Sequence, residues 1–223
     1  MIVALVFDMD GVIIDSEPIH IDLTVQVLRD VGVEPFPDEI YDFIGVRNDE
    51  MWATLIKRHG ITESVEQLLE RQKAYKVERF FNRQLTAIEG IPELLAKAKA
   101  HGLKVALATS SPKYFAEHVL TNVGVIGYFD ALVTADDISN SKPDPEIYRK
   151  AAQVLGVRAE ECIAIEDAFL GIQAAKGAGM MCIAFKNPHS GDQDIRRADF
   201  VVSSIRDIKI EDFLRGKIGE API

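Results

Sequence analysis

The sequence predicts an α/β fold in which a doubly wound, Rossmann-like parallel sheet carries an inserted helical bundle that acts as a cap. Short apolar runs are typical of strands buried on both faces, and the sequence has them at residues 2–7, 103–108 (with Lys104 as the single polar residue) and 162–165. From residue 89 onward such runs alternate with segments of helical periodicity, which indicates a parallel sheet. Residues 16–86 show helical periodicity without a convincing strand, which indicates a helical insertion.

The insertion follows the first strand and its acidic turn. Ile19, Leu23 and Val27 form one helical stripe, and three more predicted helices are centred on residues 40–44, 51–56 and 65–75. Four helices without a strand favour a small bundle that lies over the strand ends. We therefore assign residues 1–15 and 87–223 to the core domain and residues 16–86 to the cap domain.

The remaining core elements alternate along the chain. Pro92 marks the first turn of a helix that ends at Gly102. The later helix at residues 145–155 is predicted to face the core with four residues: Ile147, Ala151, Val154 and Leu155. Further strands are predicted at residues 103–108, 131–134, 162–165, 180–185 and 200–202, and further helices at residues 114–119 and 168–176. Residues 209–223 are expected either to pack as a last helix or to fray.

Composition and charge exclude several classes of protein. Hydrophobic residues make up 48% of the chain and charged residues 27%, as in ordinary globular proteins. The net charge of −10 disfavours a nucleic-acid surface, and no apolar stretch approaches the length of a membrane span. Cys162 and Cys182 lie in apolar runs and favour buried free thiols in a reducing compartment. We therefore expect a cytoplasmic monomer without nucleic-acid or membrane partners.

Polar residues cluster where open α/β sheets bind ligands, beyond the carboxyl ends of the strands. They follow three predicted strands and occupy one loop before a helix: Asp8 and Asp10, Thr109, Glu166 and Asp167, and Lys142. Each alone has an ordinary interpretation, since acids and threonine cap turns and helices and a loop lysine is usually solvated. Two carboxylates as close as Asp8 and Asp10 need a cation or a shared proton, and hard oxygen ligands suit Mg²⁺.

Taken in order, these residues resemble the four motifs of the haloacid dehalogenase superfamily of phosphotransferases. The matching positions are Asp8-Met9-Asp10-Gly11, Thr109, Lys142 and Glu166-Asp167, and residues 16–86 stand in the place of that family's helical cap. The resemblance covers nearly the whole chain. It implies Mg²⁺-dependent phosphoryl transfer from a small phosphorylated metabolite through an aspartyl phosphate. A dehalogenase fits less well, because that branch needs neither Asp10 nor a metal.

The resemblance also implies a role for each motif residue. Asp8 would be the nucleophile, and Asp10 would act as general acid and then as general base. Thr109 and Lys142 would stabilise the transferring phosphoryl oxygens. The Mg²⁺ ligands would be Asp8, the backbone carbonyl of Asp10 and Asp167, with Glu166 supporting the metal site.

Residues of the cap and of the turn after Thr109 are expected to determine which substrate binds. His20 resembles a residue of both sugar-phosphate phosphatases and β-phosphoglucomutase, although a histidine packed at the hinge explains it equally well. Arg47 and Ser110 resemble the hexose- and hexitol-phosphate phosphatases, whereas the mutases place an arginine where Asn48 stands. Lys73 or Lys76 could supply the second cationic anchor that a mutase needs, although helical lysines are usually solvated. The sequence favours hydrolysis of a sugar or polyol phosphate, with a β-phosphoglucomutase-like mutase as the alternative.

Two alternatives come from other classes of protein. Receiver domains also gather acids, a threonine and a lysine at strand ends, but they carry no helical insertion of this size after the first strand. A catalytically inactive binding module is disfavoured because every motif position holds a residue able to do the chemistry. Measurable turnover separates an enzyme from both.

Overall fold

The computed structural model describes residues 1–36, 39–43, 46, 48–81 and 84–215. Within this part of the chain six strands form a single sheet in the order β3-β2-β1-β4-β5-β6, and every neighbouring pair is parallel. The strands are β1 (Ala4–Phe7), β2 (Lys104–Ala108), β3 (Ala131–Val133), β4 (Cys162–Glu166), β5 (Met181–Phe185) and β6 (Phe200–Val202). The predicted α/β fold with a parallel sheet is confirmed.

The sheet reverses its strand order between β1 and β4. Both strands are buried along their whole length, because each lies between two strand neighbours and is apolar apart from Glu166 at the end of β4. Phe7 pairs with Ile165, and the amide of Asp8 continues the pairing by donating to the carbonyl of Ile165 at 3.0 Å. Ligands bind at such a reversal in open sheets, so the ends of β1 and β4 are the expected position of a site.

Helices alternate with strands as predicted from residue 89 onward. Within the described residues the chain forms α1 (Glu17–Asp30), α2 (Asn48–His59), α3 (Val65–Phe81), α4 (Ile91–Ala100), α5 (Lys113–Asn122), α6 (Glu146–Leu155), α7 (Phe169–Ala178) and α8 (Ile210–Leu214). The α6 and α7 helices pack with the sheet in one apolar cluster, to which Ala4, Val6, Ile147 and Ile172 contribute. The predicted last helix is short, and residues 216–223 lie outside the described residues.

Two details of the predicted helices are wrong. Among the described residues, the second of the four helices predicted in the insertion is a 3₁₀ turn at Tyr41–Phe43, because the spacing of Ile40 and Phe43 fits a single 3₁₀ turn as well as an α-helix. Val154 is 54% exposed rather than buried. The buried face of α6 is shifted towards Tyr148 and away from Val154.

The chain divides into two compact units. The first consists of Met1–Asp15, Leu85–Pro188 and Asp192–Ile223, and the second of Ser16–Gln84 and His189–Gly191. The second unit has its own apolar core, formed by Val27, Leu28, Ile40, Met51, Trp52, Leu55 and Leu68. No helix in the described part of the chain is long and apolar enough to cross a membrane.

Candidate active site

An amine and two carboxylates meet at the ends of β1 and β4. Asp8 follows β1, Glu166 is the last residue of β4, and the two strands are neighbours in register. Lys142 Nζ lies 2.7 Å from Asp8 Oδ1 and 2.6 Å from Glu166 Oε1. All three side chains are largely buried, with at most about a tenth of each exposed. Their charges are therefore paired inside the protein, where an unpaired charge is costly.

The pKa values of Asp8 and Lys142 are both raised, but for different reasons. Burial, and then the negative charges of Glu166 and Asp10, raise the pKa of Asp8 to about 7 against the opposing effect of Lys142. Burial disfavours the charged amine of Lys142, yet the two carboxylates outweigh it and raise its pKa above the usual value. Lys142 is therefore a fixed cation at neutral pH. One amine does not fully compensate the acids around Asp8, so the site favours a further cation.

Asp8 and Glu166 also belong to a group of carboxylate oxygens that could hold a metal ion. Carboxylate oxygens of Asp8, Glu166 and Asp167 all lie within 4.8 Å of one another, and all three residues are buried. Gly11 makes room for Asp167, since a Cβ at Gly11 would stand 1.9 Å from Asp167 Oδ2. Its φ of +79° also suits glycine. Hard oxygen donors at this spacing fit Mg²⁺.

The carboxylate of Asp10 is held apart from this group by the turn after β2. The Ser111 hydroxyl donates to Asp10 Oδ2 at 3.2 Å, and the Ser111 amide donates to Thr109 Oγ1 at 3.1 Å. Thr109 is buried, and its hydroxyl oxygen stabilises the turn rather than capping α5, whose N-cap is Pro112. The predicted Ser110 is exposed, whereas Ser111 reaches Asp10. A role of Ser110 in substrate binding stays a prediction.

Three further residues around the site were not predicted. The Tyr148 hydroxyl donates to Glu166 Oε1 at 2.6 Å, and burial followed by the charge of Glu166 raises its pKa well above the usual value. A Cβ at Gly171 of α7 would stand 1.8 Å from Glu166 Oε1. Asn187 Nδ2 donates to the carbonyl of Gly11 at 2.9 Å. No motif signals these contacts, because they arise only when α6, α7 and the segment after β5 assemble.

The predicted substrate residues of the cap belong to the second unit. The His20 ring lies 6.0 Å from the ring of Phe80, between centroids, in agreement with the packing interpretation. Lys73 is exposed on α3, and Arg47 lies outside the described residues. A role in substrate binding stays a prediction for all three.

The family of the chain follows from the fold, the site and a match to known proteins. The sequence model of the haloacid dehalogenase-like hydrolases matches residues 5–185, a span that includes all four motif positions. The chain therefore belongs to the haloacid dehalogenase-like hydrolase family, as the resemblance predicted. The members of this family are enzymes, and Asp8, Lys142, Glu166 and Asp167 lie at the positions of the family's motifs.

Two relatives and one solved structure are similar to this chain over nearly its whole length. Hexitol phosphatase B of Escherichia coli (strain K12) is 34% identical over 225 residues, which cover 96% of this chain and 97% of that protein. The protein SUPPRESSOR OF QUENCHING 1, chloroplastic, of Arabidopsis thaliana is 36% identical over 96% of this chain, but this chain spans only 21% of its length. Among solved structures, β-phosphoglucomutase from Clostridium difficile superposes with a TM-score of 0.77 at 28% identity, covering 98% of this chain and 97% of that one.

Proposed function

We propose that this chain is a Mg²⁺-dependent phosphatase that hydrolyses a small phosphorylated sugar or polyol through an aspartyl phosphate. The observation that carries the proposal is the placement of Asp8, which contacts Lys142 at 2.7 Å and belongs to the cluster of three carboxylates. The near full-length similarity to hexitol phosphatase B supports the substrate class.

Two chemical steps follow from this arrangement. In the first, a carboxylate oxygen of Asp8 attacks phosphorus, the P–O bond to the sugar breaks, and Asp10 gives its proton to the leaving alcohol. In the second, Asp10 takes a proton from water as the water attacks the aspartyl phosphate, which releases inorganic phosphate and restores Asp8. The Ser111 hydroxyl, 3.2 Å from Asp10 Oδ2, fixes the carboxyl that moves both protons.

Positive charge at the site offsets the repulsion between the Asp8 carboxylate and the phosphoryl oxygens. Lys142 supplies one such charge and keeps its proton, because its pKa is raised. Asp8, Asp167 and Glu166, with the backbone carbonyl of Asp10, would hold Mg²⁺, which neutralises further charge when bound. We assign contact with the phosphoryl oxygens to Thr109, and contact with the sugar to His20, Arg47, Ser110 and Lys73.

A phosphosugar mutase is the second candidate. The similarity to β-phosphoglucomutase over nearly the whole of both chains favours it. Asn48 at the position of the mutases' arginine disfavours it, because a bisphosphate needs a second cationic anchor.

The test is a substrate panel assayed with Mg²⁺ for free phosphate, containing hexose and hexitol phosphates. The panel includes β-glucose 1-phosphate with a trace of glucose 1,6-bisphosphate, for which glucose 6-phosphate is also followed. We expect phosphate release that Asp8→Asn lowers by about 10³-fold or more, as for loss of a nucleophile. Asp207→Asn, at an exposed aspartate of the first unit, is the matched control and should keep full activity. Isomerisation without phosphate release would establish the mutase instead.

A further inference from the structure

Tyr148 contacts two residues of the candidate active site, Glu166 and Lys142, from within the apolar cluster that α6 and α7 form with the sheet. It is fully buried on α6, where Ile147, Ala151 and Cys182 share its apolar cluster. Its hydroxyl donates to Glu166 Oε1 at 2.6 Å, and Lys142 Nζ lies 5.2 Å from the centre of its ring. A buried tyrosine hydroxyl needs a partner, and this one has a carboxylate of the predicted metal site.

Donors surround the Glu166 carboxylate on both oxygens. Oε1 accepts from Lys142 Nζ and from Tyr148, while Oε2 accepts from the amides of Asp167 at 3.1 Å and Ala168 at 3.4 Å. The rotation of the carboxyl group is therefore set from both sides. Without the tyrosine hydroxyl, Lys142 would be the remaining donor to Oε1 among these four groups. The carboxylate could then rotate towards Lys142.

The α7 helix packs directly against the Glu166 carboxylate at Gly171. Gly171 of α7 has no side chain, and a Cβ there would stand 1.8 Å from Glu166 Oε1 and 2.0 Å from its Cδ. Its φ lies outside the left-handed region in which glycine is favoured, so the backbone itself accepts alanine. The missing side chain at Gly171 makes room for the Glu166 carboxylate. The helix itself does not need a glycine there, since alanine would otherwise make it more stable.

We propose that Tyr148 is a positioning residue, whose hydroxyl orients the Glu166 carboxylate so that Glu166 holds Lys142 against Asp8 and presents its oxygen beside Asp167. Tyr148 acts through Glu166 and Lys142 and takes no part in bond making. The kinetic consequence rests on the proposed phosphatase function. The consequence for Mg²⁺ binding does not, because it can be measured without a substrate.

The first test is Tyr148→Phe, which keeps the ring and removes the hydroxyl. We expect Mg²⁺ to bind about 10- to 100-fold more weakly and kcat to fall by a similar factor, as for other residues that orient metal ligands. The substrate KM should stay near the wild-type value. Mg²⁺ binding is read from the rise in thermal midpoint during a titration without substrate. Tyr128→Phe, outside the site on the 3₁₀ turn Ile126–Tyr128, is the matched control.

The second test is Gly171→Ala, which leaves Tyr148 intact and displaces Glu166 from the other side. The proposal expects the same loss of kcat and of Mg²⁺ affinity, because it requires a fixed orientation of Glu166. Unchanged kcat and Mg²⁺ affinity in folded Gly171→Ala would show that this orientation does not matter, and would overturn the proposal even if Tyr148→Phe fails to fold. A lower thermal midpoint with unchanged Mg²⁺ affinity and kcat in folded Tyr148→Phe would overturn the proposal. If the wild type binds Mg²⁺ but hydrolyses nothing, the phosphatase function fails, while the Mg²⁺ titration of the variants still decides the role of Tyr148.

Discussion

Asp8 and Asp10 are two residues apart, yet the structure gives them different surroundings. Asp8 is buried against Lys142 and lies within the group of metal-binding oxygens. Asp10 is only partly buried and accepts from the Ser111 hydroxyl. A nucleophile needs a nearby cation, and an acid–base group needs access to alcohol and water. Their surroundings therefore support the division of roles that we propose.

Asp10→Asn tests that division at the scale of one residue. An asparagine keeps the shape of the side chain but neither gives nor takes the proton, so we expect both steps to slow by about 10²–10⁴-fold. Hydrolysis of the intermediate then limits turnover, and phosphorylated protein accumulates. Acid quenching followed by intact-protein mass spectrometry measures the added phosphoryl group. The double variant with Asp8→Asn is the control and should gain no mass; a gain there would place the phosphoryl group elsewhere.

At the scale of elements, the three helices of the second unit are joined by a buried chain of polar groups. Trp52 Nε1 of α2 donates to Gln72 Oε1 of α3 at 3.0 Å. Gln72 Nε2 donates to Thr24 Oγ1 of α1 at 3.2 Å, and Thr24 donates to the carbonyl of His20 at 3.0 Å. Gln72 is 6% exposed, so both of its partners would lose a hydrogen bond inside an apolar core if it were replaced.

Gln72→Leu is expected to destabilise the protein by about 2–4 kcal/mol, because it leaves a buried indole N–H and a buried hydroxyl without this partner at about 1–2 kcal/mol each. Urea unfolding followed by the fluorescence of Trp52, the single tryptophan of the chain, measures the change. Gln153→Leu makes the same substitution at an exposed position of α6 and should change the stability little. Equal stabilities for the two variants would show that the buried chain contributes nothing.

At the scale of the whole molecule, the sheet brings together acids that are distant in the chain. Asp8 follows β1, whereas Glu166 and Asp167 come more than 150 residues later, and they meet because β4 adds directly beside β1. The folded state alone holds these oxygens within 4.8 Å. A cation that binds this group stabilises the folded protein against unfolding.

Mg²⁺ is therefore expected to raise the thermal midpoint of the wild-type protein, and EDTA to remove both this rise and the phosphate release. At a Mg²⁺ concentration of about 100 times the dissociation constant the stabilisation is about 2.7 kcal/mol. Differential scanning calorimetry measures it. Asp167→Asn removes one carboxylate of the cluster and should show a much smaller rise. An equal rise in this variant would mean that the ion binds somewhere else.

Much of the core could be predicted because its signals are local. Apolar runs mark β1, β2, β4 and β5; three of the four motifs follow these strands, and Lys142 lies in the loop before α6. The 3₁₀ turn at Tyr41–Phe43 was predicted as a helix because an apolar spacing of three residues fits one 3₁₀ turn as well as an α-helix. Val154 was placed inside because periodicity locates a stripe on α6 but not its orientation towards the sheet.

The sequence by itself determined the fold class, the family and the motif residues Asp8, Asp10, Lys142, Glu166 and Asp167, because those signals lie in the order of residues along the chain. Only the tertiary structure decided that Ser111 rather than Ser110 contacts Asp10, and that Tyr148 and Gly171 surround Glu166. Such contacts depend on how α6 and α7 pack against the sheet. Packing joins side chains that have no regular separation in sequence, so no spacing rule could have found them.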